Sequence, residues 1–180
     1  MSNKFEQVIK DYGGLLSRVA STYEANDSVK QELYQEICVA VWQGLFNFKE
    51  QASLKTYILR IAHNRCVTHV TKESKLPKGA SFDDAYNCTM DEADLAAASS
   101  IANFDTASSI EASLIQSQKL NKLLTAVRKL KLPARQIITL SMEELSYQEI
   151  AEVTGLTVTN IGVSITRIKK ELQRQLQDEK

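Results

Sequence analysis

The segment 145–172, LSYQEIAEVTGLTVTNIGVSITRIKKEL, constrains the fold more than any other part of the chain. Ser146 and Glu149 have the spacing of a capping box, in which the Ser hydroxyl accepts the N3 amide and the Glu reaches back to the cap. Gly155 supplies the positive φ that ends this helix, and Thr157 can cap the next one. The segment therefore predicts two helices joined by a tight turn, a helix-turn-helix.

The second of these helices has two different faces. Its apolar stripe comprises Ile161, Ile165, Ile168 and Leu172. Its opposite face carries short polar or cationic groups of the kind that enter a DNA major groove, namely Thr159, Asn160, Val163, Thr166, Arg167 and Lys170. Taken alone, the segment is also compatible with an ordinary αα-hairpin whose outer face contacts only solvent.

Composition favours a nearly all-α chain of two small domains. The 180 residues include only two prolines and six glycines, so strands have little support. The three cysteines, Cys38, Cys66 and Cys88, are odd in number and irregularly spaced. With no signal peptide or long apolar run, the expected location is the reducing cytoplasm, with no membrane insertion.

The N-terminal part predicts three helices. The first covers 5–24 with helical apolar spacing interrupted only by Gly13 and Gly14. Asp27 or Ser28 is expected to cap a second helix that reaches about residue 45 and places Trp42 in the core. Ser53 is expected to cap the third. Three such helices can form a small core.

The helical period is lost after residue 74, where the sequence turns to Pro, Gly, Ser and acidic residues. This segment predicts a flexible linker, and a plain solvated spacer is its simplest interpretation. A second domain is expected from residue 110, with Pro133 at the first position of the helix before the helix-turn-helix.

Net charge is zero, but the charge is not evenly distributed. Residues 1–50 have five Lys and Arg against seven Asp and Glu, a charge of −2, and residues 51–75 have five against one, +4. Residues 76–115 have one against seven, −6, and residues 116–180 have eleven against seven, +4. The two basic blocks are where nucleic acid is expected to bind, with an affinity that falls as salt rises.

In the order of its two predicted domains, the chain resembles the extracytoplasmic-function (ECF, group 4) sigma factors of bacterial RNA polymerase. The likeness is carried by QELYQEICVAVWQGLFNFKEQASLKTYILRIAHNR in the N-terminal part and KLPARQIITLSMEELSYQEIAEVTGLTVTNIGVSITRIKKEL in the C-terminal part. The resemblance implies a sigma region 2 helical bundle over 1–75, an acidic flexible linker over 76–109 and a sigma region 4 helix-turn-helix domain over 110–180. The implied function is that of a promoter-specificity subunit directing transcription of a specialised regulon.

The resemblance also implies the interacting residues of the N-terminal domain. Those expected to bind the clamp helices of the polymerase largest subunit are Glu32, Leu33, Gln35 and Glu36, with Leu33 as an apolar anchor. Those expected to recognise and melt the minus-ten promoter element are Phe48, Lys49, Ser53, Lys55, Thr56, Tyr57, Arg60 and Asn64. An aromatic platform with nearby cations suits an unstacked base, although Tyr57 suits a plain core equally well.

In the C-terminal domain, the resemblance implies that the minus-thirty-five element is read by Thr157, Thr159, Asn160, Val163, Ser164, Thr166, Arg167 and Lys170. Gly162 and Ser164 stand where many family members carry Lys and Arg, so fewer phosphate contacts are expected. The implied partners are core polymerase, through its clamp helices and flap, promoter DNA and an anti-sigma factor. The linker acids Asp83, Asp84, Asp91, Glu92 and Asp94 are expected to mimic RNA in the polymerase channel.

Other interpretations of the sequence compete with this one. A stand-alone helix-turn-helix regulator with an N-terminal sensing or dimerisation domain would bind duplex DNA unaided, and a protein-interaction adaptor would bind none. A metal site at His63, Cys66 and His69 is disfavoured because His63 and His69 lie about 120° apart around a helix. No nucleophile with its base and no phosphate loop is visible, so neither enzymatic activity nor a cofactor is expected.

Overall fold

The computed structural model describes residues 2–50, 52–73 and 110–178, and side chains are not considered at 2–4, 73, 110–115 and 178. These residues form seven helices and no strand. The helices are α1 (Ser2–Tyr23), α2 (Asp27–Leu45), α3 (Leu54–Glu73), α4 (Ile110–Lys129), α5 (Leu132–Met142), α6 (Tyr147–Thr154) and α7 (Val158–Asp178). The all-α prediction is confirmed. The predicted linker and its five acidic residues lie outside the described residues.

The first three helices pack on one another because each buries one apolar face. Leu16 and Val19 of α1, Ile37 of α2, and Ile58 and Leu59 of α3 are fully buried. Helix α1 is continuous through Gly13 and Gly14, the two residues that interrupt its apolar spacing. Burial of the stripe on both sides of this pair offsets the low helix propensity of glycine.

The start of α2 differs from its prediction. Asn26, not Asp27 or Ser28, is the N-cap, and its side-chain oxygen accepts from the backbone amides of Ser28 and Val29. Asparagine is as good a cap as aspartate or serine, so the sequence held three competing candidates in a row. Glu24 fixes the turn before the cap by accepting from the amides of Ala25 and Asn26.

Helices α2 and α3 approach closely at Gly44. A Cβ atom on Gly44 would overlap the Cδ1 atom of Ile61, and the Tyr57 hydroxyl donates to the Gly44 carbonyl at 2.9 Å. Trp42, which the sequence predicted in the core, is instead 44% exposed. The buried residues of α2 are Leu33, Ile37 and Val41, and Trp42 lies outside this stripe.

Helices α4–α7 form the second unit, with α7 packed on α4, α5 and α6. Ile137, Leu140, Ile150 and Ile161 are fully buried at its centre. Pro133 lies in the first turn of α5, where its missing amide costs nothing, although Leu132 precedes it as the first helical residue. None of the helices in the described ranges is long and apolar enough to span a membrane.

The two units are in contact, because α1 and α3 pack against α4, α5 and α6. The Arg18 guanidinium forms a fork with the Glu143 carboxylate, with N to O distances of 2.8 and 2.6 Å. Arg128 donates to the Ser21 carbonyl at 2.8 Å. The Arg135 guanidinium lies over the Tyr23 ring, 5.5 Å from its centroid. Three arginine side chains thus join the N-terminal helices to the C-terminal ones.

Candidate nucleic-acid and polymerase interfaces

The helix-turn-helix has the geometry that its sequence predicts. The Ser146 amide donates to Glu149 at 2.9 Å, and the Glu149 amide donates to the Ser146 hydroxyl at 3.3 Å, so both halves of the capping box form. The Ser146 amide and hydroxyl both donate to the Glu149 carboxylate, which lowers the pKa of Glu149. Gly155 ends α6 with φ of 78°. The Asn160 amide donates to the Thr157 hydroxyl at 3.3 Å, which caps α7.

Helix α7 buries the predicted stripe and exposes most of the opposite face. Ile161, Ile165, Ile168 and Leu172 are buried. Thr157, Thr159, Asn160, Arg167 and Lys170 are exposed, and Val163 and Thr166 are half-buried. Val158, at the start of the helix, is 48% exposed, and it was not among the predicted DNA contacts. Its position in the sequence, beside Thr159 and outside the apolar stripe, could have indicated that it is exposed.

Ser164 does not fit its predicted role as a DNA contact. Its side chain is buried, with only 6% of the residue exposed. It lies next to Ile165 and three residues after Ile161, so the helical rotation turns it toward the core side of α7. Ser164 provides a small buried side chain at this position. The absence of the Lys or Arg that many family members carry therefore does not remove a charge from the surface of this helix.

The loop after α2 and the start of α3 bring together the aromatic part of the predicted minus-ten site. The rings of Phe48 and Tyr57 are 5.0 Å apart at 43°, and both residues are half-buried. Ser53 caps α3 by accepting from the Thr56 amide at 3.1 Å, as predicted. The predicted members of this site that are exposed are Lys49, Ser53, Arg60 and Asn64. The loop after α2 and helix α3 therefore carry one aromatic pair, two exposed cations and two exposed polar side chains.

Two other predicted members of this site contact the C-terminal helices instead of solvent. The Lys55 ammonium donates to the Glu143 carbonyl at 2.6 Å. The Thr56 hydroxyl donates to the Glu149 carboxylate at 3.0 Å, and the residue is 3% exposed. Neither contact is visible in the sequence, because the partners lie 88 and 93 positions away. In this arrangement, Thr56 is not available to a nucleic acid.

The predicted polymerase-binding residues divide between two faces of α2. Glu32, Gln35 and Glu36 are exposed. Leu33 is 1% exposed and packs in the core of the N-terminal helices, so its prediction as an apolar anchor on the surface is not met. It belongs to the same buried stripe as Ile37 and Val41, four residues apart.

The sequence reading missed a different set of apolar residues on the outer side of α2. Val39, Trp42 and Phe46 are 52%, 44% and 54% exposed, with the Trp42 and Phe46 rings packed edge to face at 5.4 Å. An apolar groove between α1 and α2 adjoins them and is lined by Phe5, Ile9, Tyr34, Gln35, Cys38, Val39 and Trp42. Three large apolar side chains exposed on one helix and on the residue that follows it are typical of an interaction surface.

His63, Cys66 and His69 do not come together. His63 is fully buried with its Nδ1 atom on the Tyr23 hydroxyl, Cys66 is buried with a raised pKa, and His69 faces Glu24 at 3.4 Å. Within the described ranges, no group of three or more His, Cys, Asp or Glu side chains could hold a metal ion.

The sequence also matches known families. The family model described as Sigma-70 region 2 matches residues 8–76, and the one described as Sigma-70, region 4 matches residues 120–172, so the two cover well over half of the chain. The chain is 24% identical to the RNA polymerase sigma factor YlaC of Bacillus subtilis over 149 residues, covering 81% of this chain and 76% of that one. It is 23% identical to the ECF RNA polymerase sigma-E factor of Haemophilus influenzae over 167 residues, covering 91% and 80%.

Two solved structures share the fold. CnrH in complex with the cytosolic domain of CnrY superposes with a TM-score of 0.65 at 18% identity, covering 100% of this chain and 92% of that one. The sigma factor RpoE in complex with the anti-sigma factor NepR from Bartonella quintana gives 0.67 at 17% identity, covering 98% and 99%. At these identities the likeness concerns the fold alone.

The helix-turn-helix, the three-helix N-terminal unit and the two family matches in the same order lead to one assignment. The chain belongs to the sigma-70 family, in its extracytoplasmic-function group, and is a promoter-specificity subunit of bacterial RNA polymerase.

Proposed function

We propose that the two helical units of this sigma factor divide the promoter between them. The unit of residues 1–75 binds core polymerase and melts the minus-ten element, and the unit of residues 110–180 reads the minus-thirty-five element. The observation that carries this division is that the N-terminal part of the chain holds a half-buried aromatic pair, whereas the C-terminal part holds a fully capped helix-turn-helix. The first suits an unstacked base and the second suits duplex DNA.

Core polymerase binds the outer face of α2 in this proposal. Glu32, Gln35 and Glu36 supply two carboxylates and an amide, which can meet basic residues of the clamp helices and fix the register. The exposed Trp42 and Val39 extend this face with apolar area, in the role that the sequence reading gave to Leu33. Aromatic side chains surrounded by polar ones are the usual composition of a binding hot spot.

Capture of the melted minus-ten element uses the Phe48 and Tyr57 rings as a stacking platform. Lys49 and Arg60 are positioned to neutralise the strand backbone, and Ser53 and Asn64 to donate or accept at base edges. Lys55 and Thr56 join this surface only when their bonds to the C-terminal helices are released.

Reading of the minus-thirty-five element uses the exposed start of α7. Thr157, Thr159 and Asn160 lie at its N-terminal end, where the helix dipole and free amides also favour phosphate. Arg167 and Lys170 follow on the same side, with Val163 and Thr166 half-buried between them. Val158 adds an exposed apolar contact of the kind that packs on a thymine methyl.

An anti-sigma factor is proposed as the regulating partner, because one fold neighbour is described as bound to an anti-sigma factor. The proposal places the protein in the cytoplasm, where core polymerase and promoter DNA are found, and gives it no chemistry of its own. The flap of core polymerase is the proposed contact of the C-terminal unit.

The test is transcription from fragmented genomic DNA by sigma-free core polymerase, with and without the purified chain, followed by sequencing of transcript starts. We expect new discrete starts that share two upstream elements. A matched reaction with an Arg167→Ala, Lys170→Ala variant is expected to lose starts that depend on the upstream element. If no start is added and the chain alone retains fragments of duplex DNA, the chain acts as a stand-alone regulator and the proposal fails.

A further inference from the structure

Helix α7 carries a stripe of methyl-bearing side chains on the face that is proposed to read the minus-thirty-five element. We propose that this face selects A·T base pairs, with Asn160 hydrogen-bonded to an adenine. The methyl groups of Thr159, Val163 and Thr166 pack against those of thymine. This assignment rests on the proposed reading of DNA by the C-terminal unit and adds the class of base pair that is read.

The methyl stripe follows from the spacing of three residues. Thr159, Val163 and Thr166 are separated by four and three positions, so they lie on the same side of α7, opposite its buried stripe. Thr159 is exposed, and the other two are half-buried. The Thr166 hydroxyl donates to the Gly162 carbonyl at 3.1 Å, so its proton is used within the helix. The stripe therefore offers mainly methyl groups to a base edge, and thymine is the base that presents a methyl group in the major groove.

An aromatic ring borders this stripe. The Tyr147 ring of α6 lies against Gly162, 3.5 Å from the position that a Cβ atom would take there, and Tyr147 is 43% exposed. Gly162 lies three residues after Thr159 and four before Thr166. Apolar surface thus continues from α7 to the first turn of α6, which favours contact with methyl groups over contact with the acceptor atoms of guanine.

Asn160 supplies the hydrogen-bonding group of this face. It is exposed in the first turn of α7, the part of a recognition helix that contacts base edges. Its backbone amide donates to the Thr157 hydroxyl at 3.3 Å, which fixes the backbone at the start of the helix. The side-chain amide has both an acceptor and donors, and the adenine edge matches them with its N7 atom and N6 amino group.

Guanine is disfavoured because its usual partners are missing from the first part of the helix. Arg and Lys are the commonest readers of guanine, and residues 157–166 contain neither. The first cation is Arg167, seven residues after Asn160 and about 10 Å further along the helix axis. The base pairs that face the first two turns of α7 are therefore read without a cation.

The test is selection of the upstream element by the assembled holoenzyme. The full chain and core polymerase bind a library that keeps the minus-ten region of a promoter mapped by the transcription assay and randomises the upstream element, and the bound DNA is sequenced. We expect A·T pairs to exceed G·C pairs by about tenfold at the positions with the strongest preference.

Variants of Asn160 test the residue assignment. Asn160→Ala should remove the adenine preference at one position, and Asn160→Arg should change it to guanine. Gln173→Ala is the matched control, because it removes an exposed amide elsewhere on α7, and it should leave the sequence profile unaltered.

The methyl contacts are tested on the DNA, so the result does not depend on how a variant folds. Uracil in place of thymine in the selected element removes only the methyl group. We expect the wild-type holoenzyme to bind about fourfold more weakly for each packed methyl group that is removed, the value of one buried methyl group. Val163→Ala, with its fold checked by thermal unfolding, should lose part of this difference, whereas Gln173→Ala should keep it.

Selection of guanine or cytosine at the strongest positions would overturn the proposal. So would an A·T preference that neither Asn160→Ala nor uracil alters, because groove shape and not base edges would then be its source. Failure of the proposed function has a different signature: transcript starts are added, but no upstream position shows a preference. In that case the C-terminal unit reads no element, and the inference falls with that function.

Discussion

The Tyr23 hydroxyl and the His63 Nδ1 atom are 2.9 Å apart in the interior of the N-terminal helices, with the two rings edge to face. His63 is fully buried, and its Nε2 atom has no hydrogen-bond partner. Burial lowers the pKa of His63 to about 3 and raises that of Tyr23. The pair therefore stays neutral across the physiological range, and protonation of His63 opposes folding.

The first prediction concerns acid stability. The unfolded chain takes up a proton on His63 near its ordinary pKa of 6.5, whereas the folded chain does so only near 3. The free energy of unfolding should therefore fall with decreasing pH below 6.5, by at most about 1.4 kcal/mol per pH unit from this group. Urea unfolding between pH 7 and pH 5 measures it. His63→Gln should show a shallower slope, and parallel slopes would refute the assignment.

The second prediction concerns the capping box of the helix-turn-helix. Ser146→Ala removes the acceptor for the Glu149 amide and should lower the free energy of unfolding by about 1 kcal/mol. The neighbouring exposed Gln148→Ala is the matched control and should change it by much less. Thermal unfolding followed by circular dichroism distinguishes the two. Equal effects would mean that the cap contributes nothing specific.

The third prediction contrasts two glycines. A Cβ on Gly162 would lie 3.5 Å from the Tyr147 ring, an ordinary contact, so Gly162→Ala should stabilise α7 by about 0.5 to 1 kcal/mol. Gly44→Ala should instead destabilise by about 1 kcal/mol, because Ile61 must move. Urea unfolding measures both changes. Promoter binding of Gly162→Ala then tests whether DNA approaches the backbone there: unchanged binding would exclude close approach.

The fourth prediction concerns the outer face of α2. Glu36→Lys reverses an exposed charge on the proposed polymerase-binding face and should weaken core binding by about tenfold, with little change in stability. Glu6→Lys, the same charge reversal at an exposed residue of α1, is the control. Binding of labelled variants to core polymerase, titrated at two salt concentrations, provides the measurement. Equal affinities for the two variants would place the polymerase elsewhere.

The fifth prediction concerns phosphate contacts from α7. Arg167→Ala should weaken holoenzyme binding to promoters with a minus-thirty-five element and reduce the slope of log affinity against log salt by about 1. Arg174→Ala, which removes a cation already paired with Glu171, should leave the slope unchanged. A slope unaltered by Arg167→Ala would remove that residue from the interface.

Local signals in the sequence predicted the helices and the turn between α6 and α7, because capping and apolar periodicity act over a few residues. Ser146, Glu149, Gly155 and Ser53 have the structural roles that were expected of them. Leu33 and Ser164 were misjudged for a shared reason: a family pattern gives the position of a residue but not the rotation of its helix. The engagement of Thr56 by Glu149 could not be predicted, since no local pattern encodes contacts between distant helices.

Trp42 is the only tryptophan in the chain, and it lies half exposed on the helix proposed to meet polymerase. Indole emission shifts to shorter wavelength when solvent is removed from the ring, so the natural chain carries its own optical reporter. Titration of the unlabelled protein with core polymerase, followed by difference spectra against polymerase alone, would record docking at α2 in real time without attaching a dye.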